Sequence, residues 1–533
     1  MSAAAAPASG IRYDLGAPIP WLGIAGVALA TFVSTLNGRL STFGLADVRG
    51  AISAGFDEGA WITTAQTVAQ MLVAPLAVWW GTVYGGRRVL YWAALAFALI
   101  SFLKPFSTDL FQMLTLQFAG GVASGFFVPL TMTVILKNMP PRAWAYGVSI
   151  YALNLEFSQN ISASLEGWYV EHLSWKWIFW QSVPLSLAMA YCLYAGFKPE
   201  PRNTATPPTD RFALIVGGVG LSLIYAALDQ GNRLDWLNSG LICGLLAAGA
   251  LTLTVFLIHE KRDPHPLFNL RVVFGAPLLR VLLLICLLRL IILSTAFVVP
   301  QFLGAVRGFR ALEIGDTLIW IAIPQLLVCI VAGLTLRRID ARLGAAIGFL
   351  LVCIACLMMA YSLTTEWGSE QFMLSQLLQA VGQSFAITGI VFYAVQHIRW
   401  EDALTMGAAA QVTRLMGGEL GSAFVSTFTR IREQRASNLI GLHLQAGSAD
   451  VEHRVRIYAA ATARAGNPMD AGTRGAHLLS SVVRQAATVQ SVIDASIALA
   501  LSCAIGLLIL GLSRAAPVGP ASHRWSGTAG GKS

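Results

Sequence analysis

Apolar residues in this chain gather in long blocks rather than alternating with polar ones. A block typically runs for eighteen residues or more before Gly, Pro or charge interrupts it, as in "YGGRR", "KNMPPRAW" and "KPEPRNTATPPTDR". At about 1.5 Å of rise per residue, a helical block of that length crosses a hydrocarbon core of about 30 Å. Fourteen such spans are predicted, beginning near Pro20, Ala60, Val89, Leu110, Ala143, Trp177, Arg211, Ser239, Ala276, Gly315, Ala345, Phe372, Leu404 and Val492. One connection differs from the rest, a polar segment over residues 430–490. Within it, "HLLSSVVRQAATVQSVIDASIALAL" has no helix breaker, so the last span is expected to continue outward as a helix. Ahead of that, "AGNPMDAGTRG" reads as a turn-rich break, and "VEHRVRIYAAATARA" as a short helix near the membrane surface.

Composition agrees with the pattern. Of 533 residues, 56% are hydrophobic and 12% charged, and the mean hydropathy is +0.65. Soluble domains carry about 25% charge, so the chain reads as an all-α integral membrane protein. The net charge of +9 fits basic loops beside a membrane better than nucleic acid. All seven cysteines lie in apolar spans, where a free thiol behaves as a small hydrophobe. Cys353-x-x-Cys356 has no neighbouring His or second pair, so no metal site is expected. The residues before Pro20 lack the charged, apolar and cleavable parts of a signal peptide, and the first span is expected to remain as an anchor.

Lys and Arg set the orientation. An even number of spans puts both termini on one side. That side's loops hold Arg87, Arg88, Lys137, Arg142, Lys198, Arg202, Lys261, Arg262, Arg337, Arg338, Arg342 and Arg399, while the opposite short loops hold Lys104, Lys176, Arg233, Arg307 and Arg310. Both termini are therefore expected in the cytoplasm, in a cytoplasmic (inner) membrane. The 430–490 segment, despite its Arg content, is expected outside, because long loops translocate largely regardless of charge.

Several stretches, in this order and spacing, resemble one family. "STLNGRLSTFGLADVRGAI" is similar to its first span, and "EGAWITTAQTVAQMLVAPLAVWWGTVYGGRRVL" to its second span and following turn. "GGVASGFFVPLTMTVILKNMPPRAWAYGVSI" resembles spans four to five, and "SWKWIFWQSVPLSLAM" the lead-in to span six. "HPLFNLRVV" resembles the opening of the second half, and "GAAAQVTRLMGGELGSAF" span thirteen. The family is the fourteen-spanner drug:proton antiporter branch of the major facilitator superfamily, the EmrB/QacA type. The resemblance implies two six-helix bundles, at about 20–200 and 270–515, with two extra linker helices within 201–269 and tails at 1–19 and 516–533. It implies a midplane substrate site and alternating access. It also implies a periplasmic adaptor protein docked on the external segment.

The family's proton-handling residues are replaced here. The turn after span two keeps Gly86, Arg87 and Arg88, the family's cytoplasmic gate, without the acid that precedes them in relatives. Asn37, two residues before Arg39, stands where the first span usually has Asp. Gln117 stands where the fourth span usually has Arg, and Glu166-Gly167 replaces paired glycines in span five. Span five instead carries Glu156 and Glu166, with Gln159 and Asn160 beside Glu156. Ten residues at about 100° each leave the two acids about 80° apart, so one polar stripe is expected.

Charges inside spans are expensive, so they face cavities and pair. Arg39 is the expected partner of the two glutamates. Either the pair is permanent and fixes packing, or one Glu exchanges protons or meets a cationic substrate. In the second half, Arg414 and Glu419 are about 140° apart on span thirteen and need separate partners. Arg289 and Arg414 are cavity or gate candidates, and Arg280 a snorkelling anchor. Gln66, Gln70, Gln325, Gln376, Gln379 and Gln383 are expected mostly to bond between helices. Trp175, Trp177 and Trp180 read as an interfacial belt, and Tyr151, Tyr225, Phe392 and Tyr393 as cavity candidates.

No phosphate-binding loop, dinucleotide motif or catalytic constellation stands out, and His172, His259, His265 and His397 fall at loops or ends. No enzyme activity and no cofactor are expected. Multidrug efflux, the export of amphipathic drug-like or toxic compounds driven by inward proton flow, is the leading expectation. A transporter of one metabolite with altered or no proton coupling is the alternative, and a membrane receptor or scaffold a third.

Overall fold

The computed structural model describes residues 19–140, 143–198, 211–263, 270–397, 403–444, 447–462 and 471–515. Each predicted span falls on a helix. In the first half these are α1 (Trp21–Phe43), α2 (Trp61–Tyr84), α3 (Gly86–Leu103), α4 (Leu110–Asn138), α5 (Trp144–His172) and α6 (Trp177–Gly196). The extra pair is α7 (Arg211–Gly231) and α8 (Gly240–Arg262). The second half holds α9 (Leu278–Arg307), α10 (Ala311–Thr335), α11 (Ala341–Ser362), α12 (Ser369–His397), α13 (Ala403–Gly441) and α14 (Ala471–Gly511). Among the described residues, eleven of these helices are long and apolar enough to cross a membrane. The other three, α2, α5 and α13, run 24, 29 and 39 residues in the same bundle.

Packing sorts the helices by half. In the first, α1 lies against α5 and α6, α2 against α4, and α3 against α6; in the second, α11 packs on α12 and α14, and α13 on α9 and α14. The two halves meet most extensively where α5 runs along α10. Helix α7 is wedged against α2 of one half and α13 of the other. The buried interior is rich in aromatic side chains, Phe97, Phe127, Phe179, Phe302, Phe349 and Phe372 among them. Outward, Leu251, Leu327 and Leu508 are exposed, as a wall in contact with lipid tails requires.

Helix α9 departs from α geometry at two π turns, Ser294–Val298 and Leu303–Arg307. Such turns disturb the regular ladder and commonly mark functional positions.

The outward extension is more helical than its sequence suggests. Helix α14 begins at Ala471, well before the apolar block near Val492, as its unbroken sequence leads one to expect. The turn-rich break lies partly outside the described residues, and its last part is already helix. The short helix, Ala449–Thr462, packs on α14 rather than standing alone. Only a glycine allows that contact, because a Cβ on Gly475 would stand 2.5 Å from the Val455 carbonyl oxygen. His265 lies outside the described residues.

Candidate functional site

Between the halves lies a cavity of about 140 Å³, walled by α4, α5, α9, α12 and α13. Helical periodicity builds the wall. Helix α9 offers Ile285, Leu288, Arg289 and Ile292; α12 offers Ile387, Ile390, Val391 and Ala394; α13 offers Gly407, Ala410, Gln411 and Arg414. Each set follows the i, i+3, i+4, i+7 spacing of one helix face. Helix α5 adds Tyr151, Leu155 and Glu156, and α4 adds Val128, Met132 and Leu136. The lining reaches from mid-helix towards the ends of α4 and α12 and the start of α13, all on the face where α1 begins. That face is called the terminal face below.

Three charges meet in this apolar chamber: Glu156, Arg289 and Arg414. Glu156 is 2% exposed, and its Oε2 has no hydrogen-bond partner. Its electrostatic neighbour is Arg289, which donates from Nη1 to Gln159 Oε1 at 3.5 Å while its Nε has no partner. Arg289 needs room on α13, and Gly418 supplies it: a Cβ there would come within 3.1 Å of Arg289 Nη2. Arg414 donates from Nε to Gln411 Oε1, one turn earlier on its own helix, at 3.1 Å. Tyr151 lies within the field of both guanidiniums.

Arg39 is not the partner of either glutamate. Its Nη2 instead donates to the Ala296 carbonyl across the halves, at 2.8 Å, and its guanidinium sits 5.1 Å over the Phe43 ring. Ala296 belongs to the first π turn of α9, where the loosened ladder leaves a carbonyl open to a side-chain donor.

The expected single stripe on α5 also divides. Glu156 lines the cavity, but Glu166 lies about 15 Å further along the helix, buried near Gly44 with Oε2 unpartnered. There α5 closes on α10 backbone to backbone. A Cβ on Gly315 would sit 2.5 Å from Ser164 Cα, and one on Gly167 would collide with Leu312.

Other candidates prove to hold helices together. Asn37 donates to Gln66 at 3.1 Å and accepts from Ser182 at 3.4 Å, tying α1 to α2 and α6. Gln117 is fully buried away from the cavity, with neither amide atom bonded. Glu419 turns away from Arg414 and lies beside Tyr225 of α7, and Tyr225 is not part of the cavity lining. Tyr393 donates to the Arg514 carbonyl at 3.2 Å, and Phe392 is buried outside the lining. Gln70 reaches Ser124, Gln325 accepts from Asn160, and Gln383 reaches Thr295, so the amides do bond between helices.

In the gate sequence, Gly86 opens α3 and packs on Val134, while Arg88 is exposed. Arg87 donates to the carbonyls of Leu193 at 3.0 Å and Tyr194 at 2.8 Å, capping α6 within its own half. One contact that crosses the halves on the terminal face is Arg337 to Tyr146 Oη, at 2.7 Å. Lys104, counted above as a loop residue, is fully buried between the Phe97 and Phe179 rings with no hydrogen-bond partner.

Sequence reasoning had no reason to single out Gln411, Tyr146 or Arg337. The four-residue stripes on α9, α12 and α13 were the available signal, but several spans carry similar ones. Among the described residues, the seven cysteines are all free and no group of His, Cys, Asp and Glu could hold a metal.

A model of the Major Facilitator Superfamily matches residues 27–423. Among curated proteins, the chain is similar to the multidrug export protein EmrB of Escherichia coli K12, 21% identical over 76% of this chain and 80% of that protein. It is similar to the probable multidrug resistance protein EmrY of the same organism, 25% identical over 78% and 81%. It is also similar to the fatty acid resistance protein FarB of Neisseria gonorrhoeae, 22% identical over 78% and 82%. Two solved structures share the fold. The proton:xylose symporter XylE superposes with a TM-score of 0.53 at 12% identity, covering 89% of this chain and 94% of its own. A bacterial homologue of the lysosomal transporter Spinster superposes at 0.52 and 13% identity, covering 93% and 97%.

Proposed function

Because this chain belongs to the Major Facilitator Superfamily, we propose that it is a secondary active transporter that exports amphipathic compounds across the cytoplasmic membrane by alternating access. The observation that carries this reading is the chamber between the halves, apolar along its walls and charged at mid-depth by Glu156, Arg289 and Arg414. An amphipathic solute finds both kinds of contact there. The chamber reaches the terminal face while α5 and α10 are tightly packed at the other end, which fits a state loading from the cytoplasm.

Proton coupling is assigned to Glu156, the carboxylate in the cavity lining. Its neighbour Arg289 responds to its charge, so a proton on Glu156 changes what holds α5 against α9. The relatives' roles in multidrug and fatty acid resistance support export of amphipathic molecules. The test is transport of an amphipathic fluorescent dye in proteoliposomes, with and without a pH gradient. Gradient-dependent movement against concentration supports the reading; movement that never exceeds equilibration overturns it.

A second reading, altered coupling, draws on Asn37 and Gln117, which stand at the family's charged positions and lie outside the cavity. The same proteoliposomes separate the two, since altered coupling predicts transport that ignores the pH gradient. We further propose that the helical arm formed by the short helix and the start of α14 docks a periplasmic adaptor. Cross-linking from cysteines at 449–462 in native membranes should capture it, and no captured species at any position would end the idea.

A further inference from the structure

The charges in the cavity do not cancel. Glu156 faces Arg289, and their fields act on one another. Among the described residues Arg414 has no carboxylate for an electrostatic neighbour; its neighbours are Tyr151, Arg289 and Tyr225. The acid on its own helix, Glu419, is turned to α7 and lies beside Tyr225. Arg39, the next guanidinium, adds positive charge near Arg289. Among the described residues Arg414 is bonded only through Nε to Gln411, which leaves the other guanidinium nitrogens available. A buried cation without a counter-ion is unfavourable, and a bound anion relieves it.

We infer that the solute carried in this cavity is an amphipathic anion, its acidic head seated at Arg414 and its apolar body lying along Ile285, Leu288, Ile387, Ile390 and Val391. The acids in span five, taken by themselves, point to a cationic substrate. Two guanidiniums against one carboxylate in the lining reverse that sign. A guanidinium offers forked donors that match a carboxylate in geometry as well as charge. The apolar stripes of α9 and α12 line the same chamber. An inside-negative membrane potential drives a monoanion outward, in the same direction as export. The inference rests on the cavity being the substrate site, and it names the class of compound carried there.

The experiment is binding to the purified full-length protein in lipid nanodiscs, by calorimetry at neutral pH. The probes are para-butylbenzoate, para-butylbenzylammonium and para-butylbenzyl alcohol, which differ in head group alone. The carboxylate should bind about tenfold or more tightly than either of the others, as a charge-assisted hydrogen bond implies. Arg414→Gln should reduce the carboxylate to the level of the alcohol, and Arg414→Lys should keep most of the preference. Ammonium binding as tight as carboxylate binding overturns the inference. So does a carboxylate preference that survives Arg414→Gln, or a wild-type protein that binds none of the three. If Arg414→Gln does not fold, Arg414→Lys decides, and loss of preference there counts against the inference. Binding needs no gradient. A protein that prefers the carboxylate but never transports it would therefore sink the export reading while the anion site at Arg414 stands.

Discussion

One helix, α5, makes two opposite kinds of contact. Towards its C-terminal end it presents Ser164 and Gly167, and α10 answers with Gly315 and Leu312, so that backbone lies on backbone. Some ten residues earlier it presents Tyr151, Leu155 and Glu156, and the facing helices stand off to leave a chamber. Small residues let helices approach until nothing fits between them; large and charged ones hold them apart. The same helix thus forms a seal at one end and a binding wall in the middle, a division suited to alternating access.

The largest expected effect comes from forcing the seal. Gly315→Leu places atoms where Ser164 backbone now lies, and overpacking of this kind costs about 1–3 kcal/mol or more. Thermal unfolding in detergent should show it, together with new labelling of a cysteine at Ser164. Ala410→Leu, pointing into open space, should leave the unfolding temperature nearly unchanged and lower dye binding. Equal destabilisation by both would erase the contrast.

Arg39 tests the seal from the other side of the interface. Arg39→Ala removes a charged donor from the Ala296 carbonyl, an interaction worth about 1.5–3 kcal/mol. Because Arg39 pairs with neither acid, adding Glu156→Gln or Glu166→Gln should give additive losses within about 0.5 kcal/mol. A rescue by either would restore the ion pair that the sequence suggests.

A subtler change reaches the chamber through Gly418. Gly418→Ala crowds Arg289 Nη2 while helping the helix by up to about 1 kcal/mol. Stability should hold or rise while gradient-driven transport slows several-fold. Unchanged transport would mean that the placement of Arg289 is immaterial.

The smallest effect is expected on the face opposite the termini, far from the chamber. Asn238 and Arg430 together hold the Asp235 carboxyl below the usual carboxylate range, and Arg430 lies 3.3 Å from it. A lowered pKa means that the contact is intact at neutral pH and weakens only as pH falls through that lowered value. Because the pair is solvent-exposed, Asp235→Asn should be nearly silent in melting experiments even at pH 7, where the contact is intact, and any difference between variant and parent should shrink further in acid.

The helices were legible because each span is a single continuous apolar block, and long blocks specify spans whatever their neighbours. Glu156, Arg289 and Arg414 were also legible, since charge in an apolar block demands a cavity. What each charge faces was not. Arg39 and Glu156 lie on different helices, and their relative placement depends on how α1, α5 and α9 rotate, which no local pattern records. Glu166 differs for a related reason: helical angle places it near the Glu156 face, but about fifteen ångströms of rise separates the seal from the chamber. Lys104 went unnoticed because a Lys beside Pro between two spans looks like any loop cation, and only packing shows it enclosed by Phe97 and Phe179.

The most direct test sets the two acids of α5 side by side. Export of an amphipathic dye from proteoliposomes under an imposed pH gradient would be measured for Glu156→Gln and Glu166→Gln, at matched protein incorporation. If the chamber is the coupled site, Glu156→Gln loses at least tenfold of the gradient-dependent rate while Glu166→Gln stays close to the parent. Wild-type gradient-driven export by Glu156→Gln would contradict the assignment, whatever Glu166→Gln does.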